Sequence, residues 1–260
     1  MSIITLTTDW GNDGYYISAV KGLIYGKNPE TRIIDISHSL PLFSVVQAAF
    51  ILRNTFRNFP EGTIHIIGIN SENTKTHPHI ILKYEGHFFI GSDNGIFGLL
   101  LESSPELIVA LEEKETTFPE LDVFTQAAIF LINGRKPEEL GEIKDDYYRL
   151  YDILPTIGNN LINGKVIHID SFGNAITNIS KELFEEVGTG KKFDIFMQSN
   201  AYKLNKISKK YVETPEGEFL AVFNSCNLLE LAINKGKIAE LIKLSTNSVI
   251  RIKFYDSTSN

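Results

Sequence analysis

Apolar and polar positions follow two regimes along the chain. In the first, short apolar runs alternate with segments of helical spacing. Ile3-Ile4-Thr5-Leu6-Thr7 reads as a strand ending at Asp9, and residues 13–25 place Tyr16, Ala19, Val20, Leu23 and Ile24 on one helical face, with Gly26 as the stop. A strand is predicted over 31–36 and a helix over 44–56, capped by Ser44. Residues 62–69 are apolar without alternation, the pattern of a strand covered on both faces. Strands over 80–84 and 87–91 flank a Glu85-Gly86 turn. A short helix over 96–101, a strand over 107–111 and a helix over 123–133 follow. Strand-helix alternation predicts a mostly parallel sheet with crossover helices.

The second regime is different. Residues 137–160 lose the alternation and read as a linker. Beyond them, strand candidates over 165–169, 193–197, 209–211, 218–223 and 249–254 are separated by turns, with short helices over 180–187 and 238–244. Many short strands between turns predict a small β-barrel or sandwich. The expected division is an α/β domain over 1–155 and a mostly-β domain over 161–260.

Composition narrows the function classes. The 260 residues carry a formal charge of −7, which argues against a nucleic-acid partner, since phosphates are neutralised by a basic face. Cys226 is the single cysteine, so no internal disulfide and no CxxC metal site is expected. No apolar run reaches the ~20 residues that span a bilayer, so no membrane association is expected. The N-terminus has no basic segment followed by a long apolar stretch, and a cytoplasmic location is expected.

The candidate chemistry begins at Thr7-Thr8-Asp9-Trp10-Gly11. In an α/β sheet, a carboxylate at the carboxyl end of a strand lies where ligands bind, and as a pure acceptor it suits a vicinal diol such as a ribose. The competing reading makes Asp9 and Asp13 turn residues and helix caps. His38, in Ser37-His38-Ser39, reads as a buried, hydrogen-bonded histidine.

Several stretches, in order over nearly the whole chain, resemble the S-adenosyl-L-methionine (SAM) hydroxide adenosyltransferases, or SAM hydrolases, relatives of the fluorinating and chlorinating SAM enzymes. They are Thr7-Thr8-Asp9-Trp10-Gly11, Asp35-Ile36-Ser37-His38-Ser39-Leu40-Pro41 and Phe59-Pro60-Glu61-Gly62-Thr63-Ile64-His65. Ser92-Asp93-Asn94-Gly95-Ile96, Thr117-Phe118 and Ile169-Asp170-Ser171-Phe172-Gly173-Asn174-Ala175-Ile176-Thr177-Asn178-Ile179 complete the set. The resemblance implies a Rossmann-like N-terminal α/β domain followed by a smaller C-terminal β-barrel domain. It further implies a homotrimer with an inter-subunit SAM site, and no cofactor or metal. Carried over by position, Asp9 would hold the ribose hydroxyls and Phe43 would lie near the substrate. Asp170 would meet the methionine ammonium, Phe172 would pack on the ligand, Asn174 would bond adenine, and Ser225 would face the methionine carboxylate. The competing reading makes Asp170 to Asn174 a turn that bonds its own backbone, and Phe43 and Phe172 core.

The chain departs from the family where the water is handled. Active hydrolases use an Asp, an Arg and a His there. Counted without gaps, these positions are Asn70, His77 and Pro119, and the family's loop glycines give way to Ser71-Glu72-Asn73-Thr74-Lys75-Thr76. Asn70 can orient a water but cannot take its proton, and proline has no polar side chain. Halogenating relatives place a small hydroxyl residue beside the halide. Here that position is Glu120, whose charge repels an anion, and the fluorinases' extra loop is replaced by the short turn before His87. Glu72, His77 and Glu120 fall in loops expected near the pocket, where a Glu–His combination within hydrogen-bond reach could serve as an acid/base pair. The alternative makes them solvated loop residues. The catalytic candidates are thus Asn70, His77 and Glu120. The expected reaction is SAM plus water giving adenosine and L-methionine by displacement at the 5′ carbon. The alternatives are a relative that binds SAM or adenosine without turnover, and a family fold acting on another nucleoside.

Overall fold

The computed structural model describes residues 2–256. It divides into two compact units, Met1–Asp152 and Ile153–Asn260. The first holds one seven-stranded sheet of β1 (Ile3–Thr8), β2 (Arg32–Ser37), β3 (Ile64–Gly68), β4 (His79–Tyr84), β5 (His87–Ser92), β6 (Leu107–Leu111) and β7 (Gly141–Ile143), in the order β2-β1-β3-β5-β4-β6-β7. β2, β1, β3 and β5 are parallel, whereas the pairings of β4, β6 and β7 are antiparallel. The expected mostly parallel sheet is therefore mixed. Glu85 and Gly86, both at positive φ, make a two-residue turn that sets β5 directly against β4, and the chain has no crossover there.

Four helices cover this sheet: α1 (Tyr16–Lys27), α2 (Val45–Arg53), α3 (Ile96–Leu100) and α4 (Thr125–Ile132). Successive side chains of a strand point to opposite faces, and β3 shows the consequence. Ile64 and Ile66 join Val20 and Ile24 of α1 and Ala127, Ala128 and Leu131 of α4 in one core. Ile67 and Ile69 join Ala48, Ala49 and Leu52 of α2 and Phe97 and Leu100 of α3 in another. The unalternating run over 62–69 is thus explained by burial on both faces. Ser44 caps α2 by accepting from the Gln47 amide at 3.4 Å. The helix expected from residue 13 begins at Tyr16, because Gly14 at φ 132° keeps the preceding turn out of helical geometry. The helix expected over 123–133 is preceded by a π-helical turn, Glu120–Phe124.

The stretch expected to be a linker over 137–160 is partly built into the first unit. β7 extends the sheet, Tyr147 is buried, and Leu150 packs on the same core as α3. Gly95 and Gly98 leave room for the 149–150 backbone and the Leu150 side chain.

The second unit is a barrel-like antiparallel sheet. Its strands are β8 (Thr156–Gly158), β9 (Leu161–Ile169), β10 (Ala175–Ser180), β11 (Lys192–Met197), β12 (Ser199–Leu204), β13 (Phe219–Phe223), β14 (Leu228–Ile233) and β15 (Val249–Tyr255). The order is β12-β11-β15-β9-β10-β14-β13, with β8 paired to β9, and the two end strands, β12 and β13, touch. Two short helices, α5 (Lys181–Gly188) and α6 (Ile238–Leu241), accompany a core that includes Ile162, Val166, Ala175, Leu231, Ile250 and Ile252. The strand expected over 209–211 is absent: Tyr211–Glu213 is a 3₁₀ turn, because the backbone there bonds locally, the Glu213 amide to the Lys210 carbonyl and the Thr214 amide to the Tyr211 carbonyl. Among the described residues, no helix is long and apolar enough to cross a membrane.

Candidate functional site

In the first unit, the functional side chains gather at the carboxyl ends of β1 and β3. Asp9 follows the last residue of β1 and is only 9% exposed. Its Oδ2 accepts the Phe43 amide at 2.6 Å, while Oδ1 has no protein partner among the described residues. Phe43 sits at φ 61°, a left-handed conformation that costs about 1–2 kcal/mol for an L-residue with a side chain. The charged acceptor on its amide offsets that cost and fixes a ring that is 69% exposed, so Phe43 is not core. His38 is buried. Its Nδ1 is 2.7 Å from Thr8 Oγ1, its Nε2 lies 3.2 Å from Asp35 Oδ1, and its ring stacks on Trp10. It braces the strand exits, in keeping with the structural reading.

A cavity of about 560 Å³ opens beside these strand ends, lined by Ser71, Glu72, Asn73, His79, Glu113, Lys114, Glu115, Thr116, Thr117, Pro119 and Glu120. Four glutamates against one lysine give its lining a negative balance. Glu120 is 6% exposed, and burial raises its pKa above the ordinary carboxylate range. The neighbouring Asp9 charge adds to that rise, while Ser71 and the Glu120 amide oppose it. Gly68, the last residue of β3, makes room for the carboxyl. A Cβ there would lie 2.9 Å from Glu120 Cγ and 3.1 Å from Oε1. Thr125 Oγ1 donates to the Glu120 carbonyl at 2.6 Å and so pins the π-helical turn. Such turns recur at functional sites.

Ser71 and His79 were not among the expected site residues. His79 opens β4, is buried, and its Nε2 lies 2.8 Å from the Ser71 carbonyl. Because a carbonyl only accepts, Nε2 carries the proton, and burial lowers the His79 pKa and keeps the ring neutral. The Ser71 hydroxyl is buried and lies beside Glu120 without a hydrogen bond of good geometry. The one sequence sign of His79 is a polar residue at the head of an otherwise apolar run, next to Pro78.

The other catalytic candidates lie outside the cavity lining. Asn70 is exposed at φ 46°, and its carbonyl accepts from Asn94 Nδ2 at 3.1 Å. His77 Nδ1 is 2.8 Å from the Asp93 carbonyl, and its ring packs against Tyr148. Asp93 in turn accepts the Tyr148 amide, and burial raises its pKa to about 6. Both residues therefore tie loops together. Glu72 is exposed at the cavity mouth. Of Asn70, His77 and Glu120, only Glu120 lines the cavity.

In the second unit, the loop from Asp170 to Asn174 links β9 to β10. Asp170 Oδ1 accepts the amides of Phe172 and Asn174 at 2.9 and 2.8 Å, and Oδ2 accepts Asn174 Nδ2 at 3.1 Å. Asp170 thus builds its own turn, yet a carboxylate with about four lone-pair sites keeps acceptor capacity. Asn174 is buried, and Phe172 is 73% exposed and not core. Behind the loop, Asn174 Nδ2 reaches the Tyr211 hydroxyl at 3.4 Å, and Tyr211 donates to Glu230. Glu230 also accepts from Asn224 Nδ2 at 3.2 Å. Burial and the Glu230 carboxylate raise the Tyr211 pKa, so the phenol stays a donor. The chain of bonds ends at the β13–β14 turn that exposes Ser225. Among the described residues, no group of three or more His, Cys, Asp or Glu is placed to hold a metal ion.

Comparison with known proteins covers both units. Residues 4–141 match the SAM hydroxide adenosyltransferase N-terminal domain, and residues 164–251 match the C-terminal domain of the same name. The chain is 31% identical to the (R)-S-adenosyl-L-methionine hydrolase of Methanocaldococcus jannaschii, over 97% of this chain and 96% of that protein. It is 27% identical to the Thermus thermophilus protein of the same name, over 97% and 100%. A conserved Thermotoga maritima protein of known crystal structure superposes with a TM-score of 0.85 at 25% identity, over 97% of this chain and all of that one.

Proposed function

Since this chain belongs to the SAM hydroxide adenosyltransferase family, we propose that it is a SAM hydrolase, in which water displaces L-methionine from the 5′ carbon of SAM and leaves adenosine. The observation that carries this reading is the family match across both units, joined to a buried carboxylate with a free oxygen at the end of β1. Asp9 Oδ1 receives the ribose hydroxyls. The exposed ring of Phe43 and the acidic cavity suit the sulfonium cation. Asp170 takes the methionine ammonium, Phe172 packs on the ligand, Asn174, whose Nδ2 is engaged by Asp170 and Tyr211, offers adenine its side-chain carbonyl oxygen, and Ser225 bonds the methionine carboxylate. The leaving sulfur is already cationic and departs as a neutral thioether, so the displacement needs neither metal nor redox cofactor. One protomer's N-terminal set and another's C-terminal set complete the site in a homotrimer, for which light scattering should give three times the 29.2 kDa chain mass; a monomer would contradict it. A cytoplasmic location belongs to the same reading.

A second reading has its own support. Asn70, His77 and Pro119 stand where hydrolases of the family carry Asp, Arg and His, which favours a relative that binds SAM or adenosine without turnover. Incubation with SAM, followed by chromatography of adenosine and methionine beside calorimetry on SAM and adenosine, separates the two. Turnover supports the hydrolase, and binding without turnover supports the second reading. Absence of both removes each of them.

A further inference from the structure

The water-handling positions of the family are altered here, and Asn70 and His77 are held by loop contacts. The cavity nevertheless retains a group that can take a proton. We propose that Glu120 accepts the proton of the attacking water, with Ser71 positioning it and His79 positioning Ser71, an assignment that rests on the hydrolase reading. Four observations support it. Glu120 is buried and lines the cavity at the carboxyl end of the parallel strands. Gly68 makes room for its carboxyl, since a Cβ there would lie 2.9 Å from Glu120 Cγ and push that side chain aside. The Ser71 hydroxyl is buried beside the Glu120 carboxylate and makes no hydrogen bond of good geometry, so it is placed to engage that carboxylate or a bound water. His79 holds the Ser71 backbone from β4 through a bond to its carbonyl.

The step balances as follows. A lone pair of the water oxygen forms the bond to the 5′ carbon. The carbon–sulfur bond breaks, and its electron pair returns to sulfur, giving the thioether of L-methionine. One water proton passes to the Glu120 carboxylate and the other stays as the 5′ hydroxyl of adenosine. Glu120 then loses its proton to solvent. The charged and titratable groups around it are Asp9 at the end of β1, His79 on β4, Glu72 in the 71–77 loop, and Glu113, Lys114 and Glu115 ahead of α4. Burial and the Asp9 charge make Glu120 a stronger base than an ordinary carboxylate. The acid limb of kcat against pH therefore lies above 4.5, the value of an unperturbed glutamate.

The test is the pH profile of SAM hydrolysis by the wild type, Glu120→Gln, Ser71→Ala and Ser71→Thr, with SAM affinity measured by calorimetry. Glu120→Gln should lower kcat by roughly 10²- to 10⁴-fold and remove the acid limb, and the loss in kcat should exceed any loss in SAM affinity. Ser71→Ala should lower kcat about tenfold with the limb retained, and Ser71→Thr should restore most of it. If Glu120→Gln fails to fold, Glu120→Asp decides. A carboxyl shortened by one methylene must lower kcat while keeping the limb, and unchanged kcat overturns the assignment. Wild-type turnover with Glu120→Gln equally active removes Glu120 and leaves the hydrolase reading intact. A wild type that binds SAM without hydrolysing it removes both.

Discussion

In the proposed site, Asp9 divides its carboxylate between the fold and the ligand. Oδ2 holds the strained Phe43 amide, and Oδ1 is left for a sugar. Asp9→Ala should weaken adenosine and SAM binding about 10- to 100-fold, the equivalent of about 1.5–3 kcal/mol for hydrogen bonds to a charged group, and spare free methionine. Calorimetry on the three compounds checks this, and equal loss of all three would contradict the assignment. At this scale the sequence was informative where a motif carried the residue. Asp9, Asp170 and Asn174 stand in family stretches, and the competing turn reading of Asp170 also describes what its oxygens do. His79 was not legible, because its use depends on the Ser71 carbonyl folding back onto β4, and spacing says nothing of that contact. His77 drew attention instead because, counted without gaps, it falls at the family's Arg position, yet it bonds the Asp93 backbone.

The end of β3, the π-helical turn and α4 work as one device. Gly68 carries no side chain and Thr125 ties off the turn, and together they place Glu120. Gly68→Ala should destabilise the protein by about 1–3 kcal/mol through overpacking and lower kcat at least about tenfold by pushing the carboxyl aside. Thermal melts and initial rates report the two effects, and wild-type rates in a folded variant would show that Glu120 placement does not matter. Elements buried on both faces were legible, since their apolar runs have one reading once the flanking helices are seen. The strands of the second unit were only partly so. β10 lay inside a family motif, whereas β12 had no distinctive run, β14 is an apolar run that periodicity alone does not separate from a helix, and the apolar end of Lys209-Lys210-Tyr211-Val212 mimics a strand. The π-helical turn had no sequence signal, because its extra residue shifts the register that helical spacing relies on.

Several elements of the first unit bury His65, His79 and His87 in neutral form, and the stability of the protein should record that. Burial lowers His65 to about 3, with the neighbouring His87 adding to the shift, and burial also lowers His79 and His87. In the unfolded chain these groups take protons near 6.5, so each contributes stability that is present above that pH and lost as pH falls toward its folded value. The slope is at most about 1.4 kcal/mol per pH unit for each proton. Asp93, raised to about 6, and Glu120, also raised, act with the opposite sign. Their contribution is complete below about pH 4 and lost as pH rises through the folded pKa, so they offset part of the histidine effect. The melting temperature should fall between pH 7 and pH 5, and a rise on acidification would contradict this balance. Function at this scale rests on SAM being opened by water at the 5′ carbon. The most direct measurement is incubation with SAM in ¹⁸O-labelled water, with the products resolved by mass spectrometry. The account predicts equal amounts of L-methionine and adenosine, the adenosine carrying one ¹⁸O on its 5′ oxygen; unlabelled adenosine, or no product above the enzyme-free control, would contradict it.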